Sequence, residues 1–153
     1  MSITARHKRP GAFKKLVQSL ETTPPDRRQK IMTALASEDA ELAMHAETSI
    51  FKFEEFENVP DPLLAEVLVM LKNEPRTLAM ALSSTDKKLV EKFTANMTPP
   101  LRSEFKQLDG EFEKITESER RAARFRVITK ARELENGGRH MLKKYSGNYP
   151  GNL

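Results

Sequence analysis

The sequence predicts an all-α protein of eight or nine short helices, and three observations support this prediction. Apolar residues recur at spacings of three and four, as they do along one face of a helix. Glycine accounts for only 6 of the 153 residues, and alternating apolar and polar runs are almost absent, which argues against a sheet. Proline and glycine divide the chain into short periodic segments. Such helices bury their apolar faces on one another, either as a bundle or as an armadillo-like superhelix.

The first three helices are predicted over residues 12–50. The segment from Ala12 to Glu21 carries apolar residues at i, i+3, i+4 and i+7, which form one face of a helix. Thr23 is predicted to cap the second helix, with Pro24 at its first position, where a missing N–H costs nothing. Ser37 is predicted to cap the third helix.

The later helices are predicted to begin at a polar cap or a proline. These starts are Asp61-Pro62, Pro75, Thr85 or Asp86, and Thr98-Pro99. Thr116 with Glu119 fits a capping box that opens the last helix. This helix is expected to end near Asn136, because the glycines at 137 and 138 adopt a left-handed conformation without strain. We expect residues 1–10 to be a basic tail and residues 139–153 a flexible one.

Composition excludes several classes of protein. With 26 basic and 22 acidic residues, the chain has a formal net charge of +4 and the composition of a soluble globular protein. The absence of cysteine excludes disulfides, thiolate zinc sites and thiol catalysis. The apolar run 67–71 is far shorter than the ~20 residues of a membrane span, and no secretory signal is recognisable. We therefore expect a cytoplasmic protein without direct membrane insertion.

The sequence contains no catalytic motif and none that binds a cofactor. His7, His45 and His140 lie far apart, without the paired ligands one helical turn apart that a metal site would show. Acidic pairs such as Glu54-Glu55 are typical of a solvated face rather than of acid–base catalysis. We predict no enzyme activity, no cofactor and no metal, and infer a binding or structural protein.

The predicted last helix is strongly basic. Between residues 120 and 132 there are six basic residues and no acidic one: Arg120, Arg121, Arg124, Arg126, Lys130 and Arg132. Such a surface would bind nucleic acid or another polyanion, or it would be a solvated face whose cations favour a helix C-terminus. We favour the solvated face, because no recognition-helix motif or interleaved aromatic residue accompanies the cations.

Three phenylalanines stand close together in the middle of the chain. Phe51, Phe53 and Phe56 would form either an exposed docking patch or the packing between two helical modules. We favour packing.

Several segments resemble one protein family. Residues 50–56, IFKFEEF, resemble the Met-Phe-x-Phe-Glu-Asp stretch of the bacterial flagellar motor switch protein FliG, and residues 59–98 continue the resemblance without a gap. Residues 115–138 resemble the closing helix of that family, and residues 37–43 are similar to its "EEDPELA" segment. The resemblance covers roughly residues 11–140.

This resemblance implies a division into modules. Residues 11–49 match the C-terminal armadillo module of the family, and residues 54–138 match the six-helix module that meets the stator. Residues 50–53 form the joint, with Ile50 in place of the usual Met and with Phe51 and Phe53 beside it. The N-terminal and middle regions of the family have no counterpart in these residues.

The family generates torque through charged residues that interact with the stator. At the aligned positions this chain has only uncharged residues: Ser83, Pro100, Gln107, Leu108 and Thr116. Charge steering needs a charge on both surfaces. The nearby charged residues are candidates for contact with the stator or another partner: Arg102, Lys106, Asp109 and Glu111. Ordinary solubilising charges are the favoured alternative.

The resemblance thus implies an interaction module of the flagellar motor or switch complex, involved in motility and chemotaxis, that lacks the usual torque contacts. The expected location is the cytoplasmic face of the flagellar basal body. The implied partners are switch or stator proteins of the FliM or MotA kind, or other copies of FliG. A helical adaptor for a protein outside the motor and a basic nucleic-acid-binding module remain as alternatives.

Overall fold

The computed structural model describes residues 12–136, in which every regular element is helical. Eight α-helices and one 3₁₀ helix lie in this range, and no strand occurs between residues 12 and 136. The predicted all-α fold of eight or nine helices is therefore confirmed. No helix of the described range is both long enough and apolar enough to cross a bilayer. The predicted tails, with His7, His140 and the glycines at 137 and 138, lie outside the described residues.

The first three helices form one hydrophobic core. They are α1 (Ala12–Glu21), α2 (Pro25–Glu38) and α3 (Ala40–Ser49), and α3 packs against both of the others. The buried residues of this first core are Leu16, Val17, Leu20, Leu35, Ala43, Ala46 and Ile50. Their spacing along each helix brings them to one face, as the periodicity predicts.

The predicted bounds of α1 are correct, but two predicted caps are wrong. Pro24 rather than Thr23 stands at the N-cap position of α2, and no side chain caps that helix. Ser37 lies inside α2, because the helix continues through Glu38. Asp39 caps α3 instead, where its carboxylate accepts a hydrogen bond from the N–H of Leu42 at 3.1 Å.

The remaining helices build a second core. They are a 3₁₀ helix (Phe53–Asn58), α4 (Asp61–Met70), α5 (Pro75–Leu82), α6 (Lys87–Ala95), α7 (Pro99–Gln107) and α8 (Glu117–Asn136). The long helix α8 packs most extensively against α5 and also contacts α4. The largest buried side chains of this second core include Phe51, Phe56, Leu63, Leu64, Leu68, Leu71, Leu78, Phe93 and Leu101.

The predicted caps of the helices around the second core agree with the structure in part. Asp61 is the first residue of α4 rather than its cap, and no side chain caps that helix. Of the two alternatives for α6, Asp86 is the cap, and it accepts from the N–H of Lys88 at 3.2 Å. Thr116 caps α8 as predicted, since its hydroxyl accepts from the N–H of Glu119 at 3.1 Å.

Candidate interaction site at the junction of the two cores

The two cores meet at the peptide bond between Ile50 and Phe51. Ile50 belongs to the first core, whereas Phe51 and Phe53 belong to the second. Phe51, Phe53 and Phe56 are all buried, with at most 4% of their surface exposed, so they do not form an exposed docking patch. The ring of Phe53 lies 5.5 Å from that of Phe93. The guanidinium of Arg124 lies over the Phe53 ring, 5.1 Å from its centroid.

A buried ion pair joins the helices on either side of this junction. Arg132 of α8 donates from Nε to Oε1 of Glu21 and from Nη2 to Oε2, both at 2.9 Å. The same Oε2 accepts from the backbone N–H of Phe51 at 2.7 Å. The side chain of Glu21 is only 1% exposed and that of Arg132 10% exposed. This pair therefore holds α1, the junction and α8 together.

Two more charged side chains complete this network. Arg132 donates from Nη1 to Glu135 at 2.8 Å, and Lys14 of α1 lies 3.6 Å from the same carboxylate. Burial raises the pKa of Glu21 above its ordinary value, whereas the hydrogen bond and charge of Arg132 act in the opposite direction. Burial also acts to lower the pKa of Arg132, but Glu21 and Glu135 outweigh it, and the net shift is upward. The two acidic partners therefore favour the charged form of Arg132, whereas for Glu21 the effect of burial exceeds that of Arg132 and the net shift of its pKa is upward.

Two of the six basic residues of α8 lie inside the fold rather than on its surface. Arg120 and Arg132 are buried, because α8 packs against the other helices. The guanidinium groups of these two arginines donate hydrogen bonds to acceptors inside the protein. Five of the six have internal partners: Arg120 with Ser83 and Glu117, Arg124 with the Ala81 carbonyl and Glu54, Arg126 with Glu74, Lys130 with Glu133, and Arg132 with Glu21. The nucleic-acid interpretation loses its basis, since phosphate binding needs free cations.

The four candidate partner-binding residues lie in and after α7. Lys106, Asp109 and Glu111 are exposed. Arg102 is half-buried and donates to the carbonyls of Thr94 and Met97, both at 2.9 Å, which satisfies the end of α6. Three of the four are therefore available to a partner, and contact with the stator stays a prediction.

Two of the uncharged residues at the torque positions support the fold. The Ser83 hydroxyl accepts from Nε of Arg120 at 2.9 Å and donates to the Met80 carbonyl at 2.6 Å. Thr116 caps α8. A lysine or arginine at either position would lack the hydroxyl oxygen that accepts these hydrogen bonds.

The other three uncharged residues differ in exposure. Leu108 is half-buried and lines a cavity of about 150 Å³ together with Phe105. Pro100 and Gln107 are exposed on α7. These two positions are therefore open to charged side chains.

The described histidine lies beside an acidic side chain of its own helix. His45 lies 3.8 Å from Glu41, one helical turn away on α3. Between residues 12 and 136 no group of three or more His, Asp or Glu side chains is arranged to hold a metal ion.

These features define a class of protein in which short packed helices form two adjoining cores. The family model of the FliG C-terminal domain matches residues 33–142, from the middle of α2 to beyond α8. Because this match covers more than half of the chain, the chain belongs to the FliG C-terminal domain family and is related to components of the flagellar motor switch. A comparison with curated proteins found no match.

Proposed function

We propose that the chain is a protein-interaction module of the flagellar motor switch complex and that it does not generate torque through the usual charge contacts. The observation that carries the proposed place in the switch complex is the family match over residues 33–142. The proposed location is the cytoplasmic face of the basal body. The proposed partners are switch or stator proteins of the FliM or MotA kind, or other FliG copies.

The proposed division into modules follows the two hydrophobic cores. An armadillo-like module over residues 11–49 would hold most of the first core, and a second module over residues 54–138 would hold most of the second. Residues 50–53 would be the joint, which adds Ile50 to the first core and Phe51 and Phe53 to the second. The separate membership of Ile50 and Phe51 in the two cores supports a joint at this place. The buried pair of Glu21 and Arg132 favours a fixed arrangement of the two modules over a free one.

The loss of torque contacts is supported by what the uncharged residues do. Ser83 and Thr116 hydrogen-bond within the fold, and Leu108 is half-buried beside a cavity. A stator surface that carries charge would find none at these three positions. The exposed residues Lys106, Asp109 and Glu111 offer charge nearby.

Affinity capture of the full chain from flagellated cells tests this proposal. We expect switch or stator proteins to be captured, and we expect a variant with Lys106, Asp109 and Glu111 all changed to Ala to capture less of them. A matched control changes the exposed residues Lys15, Asp26 and Glu41 to Ala, which removes the same charges from the outer surface of the helices α1 to α3. Capture of other proteins without any motor component would contradict the proposal.

A further inference from the structure

A groove of about 180 Å³ lies on the surface where the two cores meet. Its apolar lining comes from α2, the junction and α8, and includes Pro25, Ile50, Phe51 and Phe125. Its charged lining consists of the basic residues Arg28, Lys52, Arg121 and Arg124 and the acidic residues Glu21, Glu54 and Glu117. The groove is therefore partly apolar and carries one more positive than negative side chain.

The acidic residues of the groove are already paired. Glu21 binds Arg132, Glu117 accepts from Arg120 at 2.5 Å, and Glu54 lies 3.8 Å from Arg124. None of the three needs a basic residue from a partner. The negative charges of this groove are thus neutralised by basic residues of the protein itself.

Arg121, in contrast to these acidic residues, has no partner among the described residues. It is half-buried in the groove, and no other side chain or carbonyl of residues 12–136 forms a hydrogen bond or an ion pair with it. Its neighbour Arg28 uses its guanidinium for the carbonyls that end α1, including that of Leu20 at 2.9 Å. Burial lowers the pKa of Arg28, and the repulsion from Arg121 lowers it further, against the attraction of Glu21. The groove therefore holds an unpaired guanidinium beside a second one that it repels.

We propose that this groove binds an acidic side chain of a protein partner, with Arg121 as the anchor. A guanidinium fork matches a carboxylate with two parallel hydrogen bonds, and the charge of a carboxylate relieves the repulsion between Arg121 and Arg28. The adjacent apolar lining takes an apolar side chain next to the acidic one. Since α2 and α8 both line the groove, the bound segment contacts both cores at once.

A carboxylate fits this groove better than a phosphate or a nucleotide. The volume of about 180 Å³ is below the roughly 300–1,000 Å³ typical of small-molecule sites, so the groove does not enclose a whole nucleotide. A singly charged carboxylate matches the single unpaired guanidinium of this lining, that of Arg121, since Arg28 and Arg124 already bind acceptors of the protein. The proposal does not rest on the function proposed above, because it uses only the geometry of the groove.

Selection from a randomised heptapeptide library on the immobilised full chain tests the proposal. We expect peptides enriched in Asp or Glu next to an apolar residue. One such peptide, synthesised with a fluorescent label, should bind the Arg121→Glu variant at least about tenfold more weakly than the wild type, as loss of a charged hydrogen-bonded pair predicts. The matched control is Lys15→Glu, which makes the same charge change at an exposed position of α1 outside the groove.

Circular dichroism of both variants shows that the helices are retained, and competition by acetate and by inorganic phosphate identifies the preferred anion. Stronger competition by acetate supports the proposal. The proposal is wrong if no acidic sequence is enriched, if the peptide binds Arg121→Glu as tightly as Lys15→Glu, or if phosphate competes better than acetate.

Discussion

Arg132 and Glu21, which are 111 residues apart in sequence, form a buried ion pair with two parallel hydrogen bonds of 2.9 Å. The pair connects the last described helix to the first, and the hydrogen bond from the Phe51 N–H connects it to the junction. Removing a charged group from water costs several kcal/mol, which such a pair recovers only when its geometry is good. The two residues are therefore a sensitive point of the fold.

Removal of one member of the pair should destabilise the protein strongly. We expect Arg132→Met to lower the free energy of unfolding by about 3–5 kcal/mol, because Glu21 would stay buried without its partner. The double variant Glu21→Gln with Arg132→Met should be more stable than this single variant, since the Gln oxygen still accepts from the Phe51 N–H.

Urea denaturation of the wild type and the variants measures these differences. The exposed Lys15→Ala serves as a control and should change the free energy of unfolding by no more than about 0.5 kcal/mol. An Arg132→Met variant as stable as the wild type would show that the pair contributes nothing.

The Arg132→Met substitution should also change how the free energy of unfolding depends on pH. Burial raises the pKa of Glu21, and Arg132 opposes this effect, so Arg132→Met should raise the pKa of Glu21 further. A group whose pKa is higher in the folded than in the unfolded state stabilises the fold at low pH. This stabilisation is lost as the pH rises from the ordinary value of 4.5 through the raised pKa of Glu21.

Unfolding in urea at a series of pH values tests this expectation. The stability deficit of Arg132→Met relative to the wild type should grow from acid to neutral pH. The double variant with Glu21→Gln should not show this growth, because Gln does not titrate. A deficit that stays constant with pH would mean that the charge of Glu21 is not responsible for it.

The aromatic cluster at the junction should contribute strongly to stability. Phe53 is 4% exposed, and its ring lies 5.6 Å from that of Phe56 and 5.5 Å from that of Phe93. We expect Phe53→Ala to lower the free energy of unfolding by about 3–5 kcal/mol, because it leaves a cavity in the second core. The control is Met44→Ala, where the side chain is 58% exposed and the loss should be small. Equal melting temperatures for the two variants would contradict the packed junction.

Local signals in the sequence were sufficient for most helix positions. The bounds of α1 and the start of α5 at Pro75 agree with the structure, because apolar spacing and proline act within a few residues. The Ser37 cap was wrong because a serine hydroxyl also satisfies a carbonyl inside a helix, as it does here at 2.8 Å to Ala34. A cap residue type thus indicates that a helix end is near, without fixing the position.

The candidate site depended on contacts that local signals do not contain. Arg132 and Glu135 stand three residues apart on one helix, so their pairing is readable from spacing. Glu21 belongs to another helix, and nothing in a single sequence tells which of the basic residues of α8 reaches it. The burial of Arg120 and Arg132 was missed for the same reason, since the basic run resembles a solvated face.

The last prediction concerns torque. We expect that a complete FliG whose C-terminal segment is replaced by this chain would assemble into flagella but drive little or no rotation. The reason is that Ser83, Pro100, Gln107, Leu108 and Thr116 present no charge to a charged stator surface. The measurement is swimming speed in a strain that lacks its own FliG, with flagella counted separately.

Two further substitutions make this test specific. Pro100→Arg and Gln107→Asp restore charge at the two exposed positions of α7, whereas Ser83 and Thr116 stay unchanged because their hydroxyl groups hold α8 in place. We expect this double variant to swim faster than the unmodified replacement. As a control, Lys15→Glu with Gln29→Asp places charge changes on the exposed surface of the first core and should leave the speed unaltered. Normal swimming by the unmodified replacement would contradict the prediction, and would mean that Lys106, Asp109 and Glu111 suffice for the stator.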